Sequence, residues 1–204
     1  MPKLDLNIVL TSEEQTFIIP SVHYVSPKLG ENGVRVGLSI VVPGGLTRQW
    51  NEEPAKTAAE EFTLRIIEIN PTVAYEITDK LAMAFGFRMV HTSGVVKSSG
   101  TVNIPTLGGL GVASRDMKGD SFDYGYNLAL AYHPTNDLEI AFTYRSKVNL
   151  TVQGDADLSW VGITVPAGSS TYSGDASVTV PLPATFSYSI SIYISFKNNC
   201  RICI

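Results

Sequence analysis

Residues 120–147 read DSFDYGYNLALAYHPTNDLEIAFTYRSK, and this stretch contains two strands and the tight turn that joins them. Side chains of a strand point alternately to opposite faces. One face of the first strand is apolar or aromatic: Phe122, Tyr124, Tyr126, Leu128, Leu130 and Tyr132. Its other face is small or polar. The second strand sets Leu138, Ile140, Phe142 and Tyr144 against Glu139, Ala141, Thr143 and Arg145. The stretch therefore predicts an antiparallel hairpin with two chemically opposite faces.

The order of residues on the apolar face favours a lipid environment. Tyrosines flank Leu128 and Leu130, and lipid-facing strands carry aliphatic residues at mid-depth with amphipathic rings near the interfaces. A soluble β-sandwich usually presents long charged side chains on its outer face, whereas the polar face here is small. We therefore predict membrane-spanning strands, and a secreted soluble β-sandwich binding module is the alternative.

Composition narrows the class of protein. The chain is 44% hydrophobic and 17% charged with a net charge of −4, so it resembles neither a disordered segment nor a basic nucleic-acid binder. No stretch approaches the ~18 apolar residues of a membrane helix, so any spanning structure must be a barrel. Cys200 and Cys203 have no second pair and no adjacent His. No metal, cofactor or nucleic-acid partner is predicted.

The same alternation predicts seven strands, near residues 15–25, 34–42, 61–77, 81–89, 120–133, 138–153 and 176–194. The last strand places one set of large residues on a single face: Val178, Val180, Leu182, Phe186, Tyr188 and Ile190. Connections alternate between short and long, the long ones being residues 44–60, 91–119 and 154–175. Membrane barrels have short turns on one side and long loops on the other.

The predicted fold class is all-β, an antiparallel up-and-down meander of about seven strands that forms part of a transmembrane β-barrel. Closed single-chain bacterial barrels use even strand counts of eight or more, so seven strands indicate a partial barrel. Residues 1–14 are an ill-defined N-terminal segment, residues 15–195 are the partial barrel domain, and residues 196–204 are an aberrant tail. Open sheet edges in lipid are costly, so self-association through them is expected.

Five sequence blocks resemble the FadL/TodX family of outer-membrane channels for hydrophobic compounds. They are PSVHYVSP at 20–27, INPTVAY at 69–75 with DKLAMAFGF at 79–87, GDSFDYGYN at 119–127, FTYRSKV at 142–148 and PLPAT at 181–185. The resemblance implies a fourteen-stranded barrel in the bacterial outer membrane, in contact with its lipid. It also implies passive uptake of long-chain fatty acids or aromatic hydrocarbons.

Family members also carry a signal peptide, an N-terminal hatch with an Asn-Pro-Ala motif, and further strands after the block at 181–185. This chain shows none of these patterns. We therefore expect a fragment of a FadL-like channel, which by itself gives no measurable fatty-acid uptake.

No catalytic motif is present: the chain lacks a Gly-x-Ser-x-Gly elbow, a phosphate loop and a His-Glu-x-x-His segment, so no enzyme is predicted. The ligand-binding candidates are ionisable residues of the polar face and of one loop: Glu68, Glu76, Arg88, Lys97, Asp123, Glu139, Arg145 and Lys147. In a barrel lumen a cation among them would pair with a fatty-acid carboxylate. The alternative is that they pair with each other across neighbouring strands. Leu107, Leu110 and Val112 would offer an apolar landing surface.

Overall fold

The computed structural model describes residues 19–30, 33–53, 55–107, 109–163, 168–195 and 201–203. Its strands are β1 Val22–Val25, β2 Val34–Gln49, β3 Glu61–Thr78, β4 Leu81–Ile104, β5 Gly109–Thr135, β6 Leu138–Arg145, β7 Val148–Gly162, β8 Ser169–Leu182, β9 Thr185–Ser195 and β10 Arg201–Cys203. One short helix, α1 (Ala55–Ala58), follows β2, and a 3-10 turn spans Pro105–Leu107. No helix in these described ranges is long and apolar enough to cross a membrane.

All ten strands belong to a single antiparallel sheet. Strands β1 to β6 pair in chain order, β6 pairs with β9, and β7 pairs with both β5 and β8. Strands β6 and β7 are therefore two parts of one wall strand, as are β8 and β9. Counted in this way, the predicted seven strands are present, and the three-residue β10 in the predicted tail adds an eighth. The up-and-down meander is confirmed, and a single continuous sheet does not support the alternative of a soluble sandwich.

The predicted ends of the domain are only partly visible. Residues 1–14, and residues 15–18 of the first predicted strand, lie outside the described residues, as do 196–200 and 204. Within the predicted tail, β10 pairs with β9, joining Cys203 to Tyr193. In the described part of the chain, β1 pairs only with β2 and β10 only with β9, so these two strands form the sheet edges.

Two of the three predicted long loops are wrong, because most of their residues are strand. Strands β4 and β5 stay paired from His91 opposite Phe122 to Ile104 opposite Gly109. Strands β7 and β8 stay paired as far as Val161 opposite Ser169. Gly, Ser and Thr in these segments hide the alternation, because small residues on both faces give little contrast in hydrophobicity. The short turns at 79–80 and 136–137 agree with the prediction, and α1 lies within the predicted long connection at 44–60.

The sheet curves toward the face that carries Glu68, Arg88 and Arg145, which we call the inner face. Glu68 on β3 bonds directly to Arg145 on β6, although two strands separate β3 from β6. At about 4.8 Å per strand, these positions would be roughly 14 Å apart in a flat sheet. The contact therefore requires a strongly curved sheet, as expected for a barrel wall.

The predicted facing of the last strand is wrong in its first half. Three residues of β8 lie directly opposite buried inner-face residues of β7: Val178 opposite Val152, Val180 opposite Leu150, and Leu182 opposite Val148. Residues directly opposite each other share a face, so these three residues of β8 face inward. Phe186 instead packs against the rings of Phe142 and Tyr144 on the outer face. The side-chain phase changes at Pro183–Ala184, between β8 and β9, opposite the interruption between β6 and β7 in the neighbouring strand.

The outer face of β5 changes from apolar to charged along the strand. Its outward residues from Tyr132 to Phe122 are aromatic or aliphatic, and 43–63% of each is exposed. Ten steps of about 3.4 Å, tilted by about 40°, rise roughly 26 Å, close to the ~25 Å apolar band of such barrels. The next outward residues are Asp120, Lys118 and Asp116. The strand therefore leaves the apolar layer between Phe122 and Asp120.

Candidate functional site

Three of the predicted site residues meet on the inner face and form what we call the polar collar: Glu68, Arg88 and Arg145. Glu68 is fully buried and Arg88 is 4% exposed. Arg88 Nη2 donates to Glu68 Oε2 over 2.8 Å, and Arg145 Nη2 donates to the same oxygen over 2.7 Å. A buried charge is tolerated only when it is paired, and Glu68 pairs with two cations. The collar therefore carries one excess positive charge.

That excess charge is accessible at Arg145. Its side chain is 39% exposed, whereas the Glu68 side chain is 1% exposed. The hydrogen bonds of Arg145 to described residues use only Nη2. A guanidinium has five N–H donors in a planar fork, so the remaining donors of Arg145 are directed away from Glu68. The alternative that these residues pair across neighbouring strands holds for Glu68 and Arg88, whereas two strands lie between Glu68 and Arg145. Their contact with a ligand stays a prediction.

Side chains also replace missing backbone hydrogen bonds next to the collar. Strand β5 pairs with β6 up to Asn127 and with β7 from Asp120, and the ladder is interrupted between them. Tyr126 N donates to Ser146 Oγ over 2.9 Å, and Thr151 N donates to Asp123 Oδ2 over 3.2 Å. Backbone groups away from water need such partners. Asp123 thus binds the backbone of β7 rather than a residue of the polar collar.

The other candidates lie apart from the collar, and Glu76, Glu139 and Lys97 have partners of their own. Glu76 pairs with Lys28 and Arg35 where β3 nears its end, and Glu139 lies 3.4 Å from His133 near the following short turn. Lys97 lies 3.5 Å from Asp116 on the extended hairpin, with both side chains about half exposed. Lys147 is exposed at the interruption between β6 and β7. The structure therefore gathers three of the eight candidates.

Beyond the collar, in the direction of the extended hairpins, the inner face is apolar. Its buried residues form what we call the inner apolar cluster: Ile66, Val90, Val148 and Leu150, with Leu64 and Leu182 packed against them. A cavity of about 90 Å³ lies near this cluster, lined in part by Val96, Met117, Val152 and Val178. Sequence reasoning missed this cluster, because its β7 and β8 members face inward only after the phase change.

The floor of this cavity is lined by three glycines, and two of them, Gly119 and Gly154, leave no room for a Cβ atom. Gly94 lies opposite Gly119, and Gly119 lies opposite Gly154. A Cβ atom on Gly119 would lie 2.6 Å from the carbonyl oxygen of Gln153, and one on Gly154 would lie 2.0 Å from that of Lys118. Both separations are shorter than real contacts allow, so these positions keep the cavity floor free of side chains.

On the other side of the collar, toward the short turns, the inner face is small or polar. It carries Asn70 and Thr72 on β3, with Ala84, Ala129 and Thr143 on the following strands. A cavity of about 240 Å³ lies between β1, β2 and β3, and its lining combines polar residues such as His23, Ser39 and Thr72 with Val25, Val36 and Leu38. Ser39 Oγ and His23 Nδ1 are 2.9 Å apart. The collar therefore separates an apolar half of the inner face from a polar one.

Known proteins share this fold and this sequence pattern. The family model described as Outer membrane protein transport protein (OMPP1/FadL/TodX) matches residues 11–199. The Long-chain fatty acid transport protein of Escherichia coli O157:H7 is 24% identical in a 196-residue alignment that covers 80% of this chain and 44% of that protein. The relative of the same name from Escherichia coli O6:H1 is 24% identical over 67% of this chain and 34% of its own length.

Solved structures agree in fold. The toluene transporter TodX of P. putida superposes with a TM-score of 0.68 at 18% identity, over 93% of this chain and 53% of that one. The Ralstonia pickettii toluene transporter TbuX gives 0.65 at 22% identity, over 88% and 51%. This chain thus spans less than half the length of both curated relatives. The family and outer-membrane location predicted from the sequence are confirmed: the chain belongs to the OMPP1/FadL/TodX family of outer membrane transport proteins.

Proposed function

We propose that this chain forms part of the wall of an outer-membrane channel that takes up hydrophobic compounds passively, with no catalytic step. The observation that carries the proposal is the change of the inner face from apolar to polar at the collar. An amphiphile such as a long-chain fatty acid matches this order, because its chain suits the inner apolar cluster and its head suits Arg145. The names of the curated relatives and of the solved structures support fatty acids and aromatic hydrocarbons as substrate classes.

Arg145 is the proposed partner of a ligand carboxylate. Arginine binds carboxylates through two parallel N–H bonds, and Arg145 keeps donors beyond those that Glu68 uses. Lys97 and Lys147 are exposed cations outside the collar, so they would act earlier on the path. Four of the candidates are themselves carboxylates and would repel a ligand carboxylate: Glu68, Glu76, Asp123 and Glu139. They would instead hold the cations and backbone groups that they contact.

The extended hairpins are the proposed capture surface. Leu110 and Val112, near the turn between β4 and β5, are 40% and 41% exposed. The side chain of Leu107 is outside the described part. A hydrophobic compound would bind there first and then move inward past the cavity near Met117. The outward aromatic band would contact outer-membrane lipid, and the edges β1 and β10 would pair with further strands or with a second copy, because lipid cannot satisfy free backbone groups.

A chimera tests this function. The chain replaces the matching segment of the Escherichia coli long-chain fatty acid transport protein, in cells that lack their own copy, and uptake of labelled oleate and of toluene is measured. Arg145→Gln should lower oleate uptake by roughly tenfold, the equivalent of one charged hydrogen bond, and leave toluene uptake unchanged. Lys118→Gln, which removes an exposed cation from the outer face of β5, is the matched control.

Two results of the uptake measurement would contradict these proposals. Equal oleate uptake by the parent chimera and by Arg145→Gln would contradict the carboxylate role of Arg145. A parent chimera that inserts as a folded barrel but takes up neither compound would contradict the channel proposal itself.

A further inference from the structure

We propose that Arg88 is a positioning residue that holds a one-residue register shift in the barrel wall, and so determines which side chains of β7 line the channel. The proposal rests on the proposed function only for its consequence in transport. Its structural basis is the interruption between β6 and β7, where the pairing with β5 changes phase.

The register shift follows directly from the pairing. Asn127 lies opposite Arg145, and Asp120 lies opposite Gln153. Seven residue steps on β5 separate these two pairs, whereas eight steps separate them on the β6–β7 strand. The β6–β7 strand therefore contains one extra residue between Arg145 and Gln153, which is the definition of a β-bulge.

This extra residue decides which side chains of β7 line the inner face on the side of the collar toward the extended hairpins. Arg145 faces inward, and beyond the interruption Val148, Leu150 and Val152 face inward, at 2%, 0% and 7% exposure. A one-residue slip moves every side chain to the other face of a strand. Without the bulge, Asn149 and Thr151 would face inward and the three apolar side chains would face out. The path for a hydrophobic ligand would then be polar.

Arg88 is the side chain that contacts both the bulge and the collar. Its Nη1 donates to the carbonyl oxygen of Ser146 over 2.7 Å, while its Nη2 donates to Glu68. To reach Ser146 on β6–β7 from β4, Arg88 must cross β5. It does so near Gly125, where an added Cβ would lie 2.8 Å from Ser146 Oγ and 2.6 Å from Val148 Cγ2.

Arginine suits this position better than lysine. The planar guanidinium reaches two acceptors at a fixed angle, whereas the lysine ammonium is a single point of charge. The Ser146 carbonyl and the Glu68 carboxylate are the acceptors here. Without Arg88 the Ser146 carbonyl loses this donor. Ser146 N already donates to the Tyr126 carbonyl of β5 over 2.9 Å. The bulged arrangement then loses its advantage over an unbulged one in which the Ser146 carbonyl is also bonded within the ladder.

Cysteine labelling of the chimera tests this directly, in a background with Cys200→Ser and Cys203→Ser. A membrane-impermeant maleimide should modify Asn149→Cys rapidly and Leu150→Cys slowly, since position 149 is exposed and position 150 is buried. Adding Arg88→Met should raise the labelling rate at position 150 by roughly tenfold to a hundredfold, the equivalent of one lost charged hydrogen bond. Asn70→Leu, a matched loss of a buried polar side chain on the same face, should leave both rates unchanged.

A second variant keeps the test sharp if Arg88→Met fails to insert. Deleting Lys147 removes one residue at the bulge, and it should make position 150 reactive and position 149 protected. If Arg88→Met inserts and labels like the parent, the positioning role is overturned. If deletion of Lys147 inserts and keeps the parental pattern, the bulge does not set the facing and the proposal also fails. A changed labelling pattern at positions 149 and 150 with unchanged oleate uptake would support the positioning role of Arg88 and contradict the proposed function.

Discussion

Strand β5 passes through two regions with opposite chemistry, and the comparison shows what alternation can and cannot specify. From Thr135 to Phe122 its large residues face outward into the apolar layer, and its inward residues are small or polar. From Asp120 to Gly109 its outward residues include Asp116 and Lys118, while Met117 lines an inner cavity. Both regions alternate with a period of two. Alternation therefore identifies a strand, and the medium on each side decides which face is apolar.

The polar collar lies where these two regions meet. Glu68 and Arg88 are buried charges, and directly beside them Val90 and Ile66 begin the inner apolar cluster. Along the apolar outer band the wall has the arrangement of a transmembrane barrel, which is apolar outside and polar inside, the reverse of a soluble protein. Beyond the layer, water lies outside and apolar groups pack inside, as in an ordinary soluble sheet.

The largest expected effect is at the boundary itself. Glu68→Met leaves two arginines without their shared carboxylate, and breaking a buried ion pair in this way costs about 3–5 kcal/mol. We expect a corresponding loss in the free energy of unfolding of the chimera in lipid vesicles, measured with urea. The double variant Glu68→Met/Arg88→Met should recover part of that loss. A single variant as stable as the parent would show that the collar holds no buried charge.

A smaller effect tests the two faces of the membrane region. Leu128→Arg places a charge in the apolar layer and should cost about 2–4 kcal/mol near the midplane. Thr143→Arg, on the inner face at the same level, should cost less, because the inner face is polar and Thr143 is exposed there. Unfolding in vesicles measures both. Equal and severe losses would instead indicate a sheet packed against protein on both faces.

The smallest effect belongs to the extended hairpin. Lys97→Ala removes an exposed pair with Asp116, and such pairs contribute about 0–1 kcal/mol. We expect a small loss of stability that disappears in 1 M salt, where screening acts within ~3 Å. A loss in the free energy of unfolding comparable to that of Leu128→Arg would contradict the prediction that the extended hairpin is exposed to water.

Much of the wall was predictable from sequence because a barrel strand carries its own signal. The alternation around Leu128 and Leu130 identifies both the strand and its lipid face, and the phase of Glu68, Arg88 and Arg145 places all three on the opposite face. Their meeting could not be predicted, because it depends on curvature across four strands. Residues 91–119 were misread as a loop, since glycine, serine and threonine lower the contrast between faces.

The sequence by itself determined the strands, the apolar outer band and the family, because each depends on local periodicity or on short blocks of residues. Only the tertiary structure decided the facing of Val178, Val180 and Leu182. In the sequence they continue the alternation toward Phe186 without a break, yet they lie on the other face. The reason is that a strand's phase is set by the neighbour to which it is hydrogen-bonded. The interruption at Ser146–Lys147 in that neighbour is matched by one at Pro183–Ala184, and such a concerted phase change exists only in the assembled sheet.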